Sequence, residues 1–87
     1  MLQMVAIHKV GNFDAWREMV DERVANRWGL TVRVWRSVEE PLETMIVIDV
    51  PTREIAEEIM KGDGDFREWM DRAGLEVYPT VFVGEEV

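Results

Sequence analysis

His8 is the residue of this sequence best suited to moving a proton, because the ordinary pKa of an imidazole lies near neutrality. It is the one histidine among the 87 residues, and Asn12 and Trp16 follow it where an apolar segment meets a candidate helix. The chain has no cysteine and a single serine, Ser37, so no nucleophilic triad can be completed. His8 is our candidate catalytic residue, and a ring that hydrogen-bonds a backbone carbonyl is the simpler, structural alternative.

Aromatic side chains could form the walls of a binding site. The chain has four tryptophans: Trp16, Trp28, Trp35 and Trp69. Their flat rings suit an apolar or aromatic ligand, although packing in the core or at an interface explains them more simply. Asn12 is positioned as a helix N-cap, and its amide could also orient a substrate oxygen. The predicted ligand-binding residues are Asn12, Trp16 and Trp69.

Charged residues give little support for an anion or metal site. Arg33, Arg36 and Asp49 could hold an anionic ligand, but a cross-strand ion pair accounts for Arg33 and Asp49 without one. One histidine and scattered carboxylates lack the clustered spacing of a zinc or iron site. The loop 62–64 is too short and too acidic to hold phosphate. We therefore expect neither a metal nor a cofactor.

The charge balance limits the partners. Eighteen acidic and ten basic residues give a net charge of −8, which repels nucleic acid and anionic membrane surfaces. No apolar run reaches the roughly 20 residues that span a bilayer, and the N-terminus has no signal-peptide pattern. With no cysteine in the chain, we expect a cytoplasmic protein without nucleic-acid or membrane partners.

Apolar periodicity predicts the secondary structure of a single domain over residues 1–87. Strands are predicted at 2–10, 30–37, 43–50 and 76–83. Gly11 ends the first of them, and Asn12 then caps a helix that extends to about Trp28 and Gly29. The buried stripe of this helix is Phe13, Trp16, Met19, Val20 and Val24. Pro79 indicates that the last strand lies at an edge of the sheet.

A second helix is predicted after Thr52, which caps it. Its apolar stripe is Ile55, Ala56, Ile59 and Met60. The segment 61–64 interrupts the pattern, a new start follows at Asp65 with Glu68 three residues on, and Gly74 suits the end of the helix.

The turn between the second and third strands sets their register. If it is centred on Pro41, Arg33 faces Asp49, and Trp35 faces Val47. Val32 and Val34 then share a side with Ile48 and Val50, which is consistent with one buried face.

The order strand, helix, strand, strand, helix, strand predicts an α+β, ferredoxin-like split βαβ sandwich. Its helices cover one face of an antiparallel four-stranded sheet. The other face would carry Trp35, Met45, Val47 and Phe82, so a second layer is missing from the single chain. We expect a homodimer with the two sheets face to face, forming a barrel.

Several segments resemble the dimeric α+β barrel superfamily, which includes the antibiotic-biosynthesis monooxygenases and many small proteins of unassigned activity. The resemblance covers nearly all of the chain and is carried by His8-Lys9-Val10, Asn12-Phe13-Asp14-Ala15-Trp16, Glu39-Glu40-Pro41, Phe66-Arg67-Glu68-Trp69-Met70 and Ala73-Gly74. It implies the fold more firmly than an activity, since one fold hosts many functions.

The sequence is compatible with three functions. The first is a homodimer that binds a small apolar or aromatic molecule in a cavity between helices and sheet. The second, implied by the resemblance, is a cofactor-independent monooxygenase in which His8 is the base or hydrogen-bond donor, Asn12 positions the substrate, and Trp16 and Trp69 form the walls. The third is a structural or regulatory dimer without a ligand.

Overall fold

The structure of this chain, a computed structural model, describes residues 2–61, 68, 71, 74 and 80–87. Its elements are β1 (Leu2–Lys9), α1 (Phe13–Val20) with a π-helical continuation (Asp21–Asn26), β2 (Val32–Arg36), β3 (Glu43–Val50), α2 (Arg53–Lys61) and β4 (Thr80–Glu85). The strands form an antiparallel sheet in the order β2-β3-β1-β4. The predicted ferredoxin-like fold is confirmed, and β4 lies at an edge as expected, although Pro79 is outside the described residues.

Helix α1 begins where the sequence predicts. The Asn12 side chain accepts a hydrogen bond of 3.0 Å from the Ala15 backbone N–H, which satisfies one of the free donors of the first turn. Trp16, Met19 and Val20 are buried, as their spacing indicates. The predicted cap and apolar stripe of this helix are confirmed.

The helix changes from α-helical to π-helical geometry after Val20. Residues four apart drift by about 40° around an α-helix, and the wider π-helical turn at Asp21–Asn26 counteracts that drift. Val24 therefore stays on the core side with Val20, at 8% and 1% exposure. Gly29, with a φ of 64°, follows the end of the helix. The periodicity predicts this helix and its end, but it gives no sign of the π-helical turn.

The register between β2 and β3 differs from the prediction by two residues. Arg33 faces Val47, and Trp35 faces Met45, because the hairpin is centred on Glu40 rather than Pro41. The Ser37 hydroxyl accepts hydrogen bonds from the N–H groups of residues 39 and 40 at 3.2 and 3.1 Å, which tightens the turn. A shift of two residues keeps every side chain on its face, so the predicted division into two faces is correct.

The sheet has a core face and an outer face. The core combines strand and helix side chains: Met4, Ala6, Val10, Trp16, Val20, Val24, Ile46, Ile48, Val50 and Ala56. The outer face, on the other side of the strands, carries six apolar side chains: Val5, Ile7, Trp35, Met45, Val47 and Phe82. Ile7, Trp35 and Phe82 are 43, 55 and 68% exposed. In a single chain the outer face is therefore open to solvent.

Helix α2 is capped by Thr52, whose hydroxyl accepts a hydrogen bond of 3.2 Å from the Ile55 N–H. Ala56 is buried at 1% exposure, Ile59 packs against the core, and Met60 is 45% exposed. The cap is confirmed, while Met60 departs from the buried stripe in which the spacing placed it. The helices that the structure describes include none long and apolar enough to cross a membrane.

Gly74 brings a distant part of the chain against the β1–α1 junction. Glu68 and Asp71 are helical, and Gly74 follows with a φ of 71°, as expected at the end of a helix. A Cβ on Gly74 would lie 2.7 Å from the Cα of Gly11, so only glycine permits this approach. Asp65, at which the sequence predicts a new helix start, lies outside the described part.

Candidate functional site

His8 lies near the end of β1 with its side chain on the core face, where it is 3% exposed. Its ring packs against the ring of Trp16, with centroids 5.7 Å apart and planes tilted by 59°. On the neighbouring strand, the Thr44 hydroxyl donates a 3.1 Å hydrogen bond to the His8 carbonyl oxygen. The strand end and the first two turns of α1 therefore hold the histidine and a tryptophan in contact.

Burial controls the chemistry of this imidazole. Removal from water lowers the pKa of His8 from 6.5 to about 4, because a charged ring is poorly solvated in the interior. His8 is therefore neutral at pH 7 and can both donate and accept a hydrogen bond. Since so low a pKa makes a weak base, the geometry suits hydrogen bonding to a substrate better than proton abstraction.

Trp16 has a polar atom enclosed in this site. Its side chain is 0% exposed and packs against Phe13, with ring centroids 5.6 Å apart. The indole Nε1–H finds no hydrogen-bond acceptor within the described part of the chain. Because a buried donor without an acceptor costs about 1–3 kcal/mol, an oxygen atom of a ligand or of water would be stabilised beside it.

The other predicted site residues do not converge on His8. The Asn12 side chain is exposed, and its Oδ1 atom is used in capping α1. Trp69 lies outside the described residues. Trp35 is on the outer face, as predicted, and Trp28 is partly buried, with the Arg27 guanidinium 5.9 Å from its ring centroid. The structure brings His8 and Trp16 together and gives Asn12 the structural role that its position favours.

The basic residues weighed as an anion site have structural contacts. Arg33 lies 3.7 Å from Asp49, diagonally across the outer face, and Gln3 donates a 3.2 Å hydrogen bond to the same carboxylate. The Arg36 guanidinium stacks 4.7 Å from the centroid of the Phe13 ring. The predicted Arg33–Asp49 ion pair is therefore present.

A groove of about 530 Å³ lies between α2 and the sheet, near the start of β1 and the end of β4. Its apolar lining comes from Leu2, Ala56, Met60 and Val83. Three charged residues complete it: Arg53, Glu57 and Glu85. His8, Asn12 and Trp16 do not line this groove, because Leu2 and His8 occupy opposite ends of β1, about 20 Å apart at strand spacing.

Sequence reasoning missed the groove residues. They come from three elements far apart in the chain, and none belongs to a motif. The one signal was Met60, a long apolar side chain at the end of an amphipathic stripe. In the described ranges, no three histidine or carboxylate side chains lie close enough together to hold a metal ion.

Solved structures share this fold over nearly their whole length. A candidate antibiotic biosynthesis monooxygenase from Bordetella bronchiseptica is 21% identical with a TM-score of 0.73, and the match covers 99% of this chain and 96% of that one. A protein described as an antibiotic biosynthesis monooxygenase is 15% identical with a TM-score of 0.74, covering 100% and 99%. A conserved protein from Methanosarcina mazei Go1 is 12% identical with a TM-score of 0.72, covering 99% and 92%.

The sequence itself gives no corresponding match. No protein-family model matches the chain, and no curated protein matches it either. At identities of 12 to 21%, the solved structures establish the fold alone. The predicted resemblance to the antibiotic-biosynthesis monooxygenases is confirmed at that level.

Proposed function

Because the chain has the fold of these solved structures, we propose that it is a homodimer that binds a small apolar or aromatic molecule between helix and sheet. The observation that carries the proposal is the groove beside α2. Its volume of about 530 Å³ falls in the range of small-molecule sites, about 300–1,000 Å³. An apolar lining with a few charged groups at its margin is also typical of such sites.

Met60 is the residue through which the groove can be tested. It is 45% exposed at the margin of the groove, so Met60→Trp adds volume there without overpacking the core. We expect this variant to weaken the binding of an aromatic probe, 3-phenylpropan-1-ol, by about 10-fold, because roughly 1.4 kcal/mol of apolar contact is displaced. Isothermal titration calorimetry measures the change.

Glu58→Trp is the matched control. Glu58 is exposed on the same helix and does not line the groove, so the same new side chain is placed outside the site. We expect it to leave the affinity within about 2-fold of the parent protein. Equal affinities in the parent protein, Met60→Trp and Glu58→Trp would show that the ligand binds outside the groove. No binding by the parent protein would favour a dimer with a structural or regulatory role.

The homodimer is supported by the outer face. Its six apolar side chains form two adjacent rows, each across three neighbouring strands: Val47, Val5 and Phe82, and Trp35, Met45 and Ile7. Soluble proteins rarely expose so contiguous an apolar surface unless something covers it. A second copy offers an identical apolar face, and two-fold symmetry makes the contact self-complementary.

A second candidate function is a cofactor-independent monooxygenase. It is favoured by the contact of the neutral His8 ring with Trp16. The indole N–H of Trp16 has no hydrogen-bond acceptor within the described part of the chain. In that chemistry a phenolic substrate loses a proton, and its anion reacts with oxygen in a site that excludes water. His8 would hydrogen-bond or deprotonate the substrate, Asn12 would position it, and Trp16 and Trp69 would form the walls.

Oxygen uptake tests this second candidate. With a panel of phenols, we expect uptake by the parent protein and at least about a 100-fold lower rate in His8→Ala, because a hydrogen bond to a developing oxyanion contributes that much. The thermal unfolding of His8→Ala, followed by circular dichroism, separates loss of chemistry from loss of fold. No uptake by the parent protein, or an unchanged rate in a folded His8→Ala, contradicts the assignment.

A further inference from the structure

We propose that the ligand of the groove is an amphipathic amine, a molecule with a flat or aliphatic apolar body and one cationic nitrogen. This inference rests on the proposed ligand-binding function and adds the chemical class of the ligand. It depends on how the apolar and charged residues are arranged around the groove.

The apolar residues of the groove would bind the apolar body of the ligand. Leu2 and Val83 lie on the first and last strands, Ala56 is buried on the core side of α2, and Met60 lies at the margin. Each CH₂ group that leaves water against such side chains contributes about 0.8 kcal/mol. These residues would bind an alcohol, an amine or a carboxylate of the same shape equally well, so the charged residues decide among them.

The charges at the margin favour a cation. Arg53 and Glu57 form an ion pair at 3.8 Å on the surface of α2, and their charges offset one another. Glu85, on the last strand, forms no ion pair with the side chains that the structure describes, those of residues 2–60, 68, 71, 74 and 80–87. The three charged groups of the groove therefore carry a net negative charge, and the chain as a whole carries −8, which raises the local concentration of cations.

The competing ligand chemistry is an anion held by Arg53. Its guanidinium is already paired with Glu57 and is largely exposed, with 82% of the side chain accessible. A carboxylate ligand would have to replace Glu57 in that pair while approaching Glu85. An ammonium group would displace neither residue of that ion pair, and it would pair with the Glu85 carboxylate, which has no ion-pair partner among the described side chains.

Three probes with one carbon skeleton test the class: 3-phenylpropylamine, 3-phenylpropan-1-ol and 3-phenylpropanoate. At low ionic strength we expect the amine to bind about 2- to 5-fold more tightly than the alcohol, as an exposed ion pair allows, and the carboxylate to bind most weakly. The preference for the amine should shrink at 0.5 M salt, since exposed charges are screened. Affinities come from calorimetry or ligand-observed NMR.

Glu85→Gln and Glu58→Gln distinguish the effect of a charge in the groove from the effect of the net charge of the protein. Both remove one negative charge, but Glu58 does not line the groove. We expect Glu85→Gln to abolish the preference for the amine over the alcohol, and Glu58→Gln to keep that preference. Equal loss in both variants would attribute the preference to net charge and overturn the inference.

The remaining outcomes distinguish the inference from the function on which it rests. If the alcohol binds and Met60→Trp weakens it, but the amine gains nothing, the ligand class is wrong and the groove stays a binding site. If none of the three probes binds the parent protein, the proposed groove function fails together with the inference.

Discussion

Ile7→Glu is expected to convert the proposed dimer into a monomer. Ile7 lies on the central strand β1, on the outer face between Met45 and Thr80, and it is 43% exposed in a single chain. A protomer can therefore hold a glutamate there in contact with water. In a dimer of facing sheets the same carboxylate would be buried, once from each copy.

The energy of that burial sets the size of the effect. An unpaired buried charge costs about 3–5 kcal/mol. A two-fold symmetric dimer buries two such glutamates, one from each protomer. We expect the dissociation constant to rise by at least about 100-fold, equivalent to 2.7 kcal/mol. Sedimentation velocity between 1 and 100 μM measures the change, with the parent protein as a dimer throughout.

Val38→Glu is the matched control for charge. Val38 lies in the hairpin between β2 and β3 and is 99% exposed, so this variant adds the same charge away from the outer face. It should stay dimeric. A parent protein that sediments as a monomer at 100 μM would contradict the dimer, as would an Ile7→Glu protein that keeps the parent mass.

Folding of the variant must be established separately. Because glutamate is less favourable than isoleucine in a strand, far-ultraviolet circular dichroism should show that Ile7→Glu retains its secondary structure. Trp35→Ala provides a second variant on an edge strand, where the side chain is 55% exposed. It removes a large apolar surface without adding charge, and we expect it to weaken the dimer by about 10-fold or more.

Local patterns in the sequence were sufficient to predict the order of the four strands and the starts of α1 and α2, although β4 extends to Glu85, two residues past its predicted end. Alternation identified the strands, and the spacing of Trp16, Val20 and Val24 identified the first helix together with its cap at Asn12. These features are encoded by neighbours in the chain. The predicted ion pair of Arg33 with Asp49 also forms, because a register error of two residues keeps both on one face and leaves them within diagonal reach.

The hairpin register could not be predicted, and neither could the features that depend on contacts between distant segments. The Ser37 hydroxyl accepts hydrogen bonds from the backbone of the turn and centres the hairpin on Glu40. The prediction centred it on Pro41 because proline is typical of turns. The groove forms because Met60, in the last turn of α2, lines the same space as Leu2 and Val83, three residues with no common motif. Likewise the sequence placed His8 beside the start of a helix, but only the packing of Trp16 shows how deeply the ring is buried.

Burial of His8 is expected to make the stability of this protein fall as the pH falls from 7.5 to 5. The pKa of His8 is about 4 in the folded chain and 6.5 without burial, as in the unfolded chain. As the pH falls, the unfolded chain therefore binds a proton before the folded chain does. Stability is therefore fully present above pH 6.5 and is lost progressively toward pH 4. Between pH 7.5 and 5 these two pKa values correspond to a loss of about 2 kcal/mol.

His8→Gln isolates this contribution, since an amide of similar polarity does not titrate. Urea unfolding at pH 7.5 and at pH 5, at one protein concentration, should show the parent protein losing about 2 kcal/mol more than the variant. Parallel losses in the two proteins would contradict the burial of His8. The Cε1 proton of the imidazole, followed by NMR, should report the same titration directly in the folded protein.

The pKa of His8 also decides between the roles that an oxygenase site could give it. A ring that titrates near 4 is neutral at pH 7 and too weak a base to remove a phenolic proton efficiently, so its contribution would be a hydrogen bond to the substrate oxygen beside the Trp16 N–H. A ring that titrates near 6.5 once a substrate is bound would instead be matched to proton transfer at neutral pH. The shift of the imidazole titration on addition of a phenol therefore separates a binding role from a catalytic one.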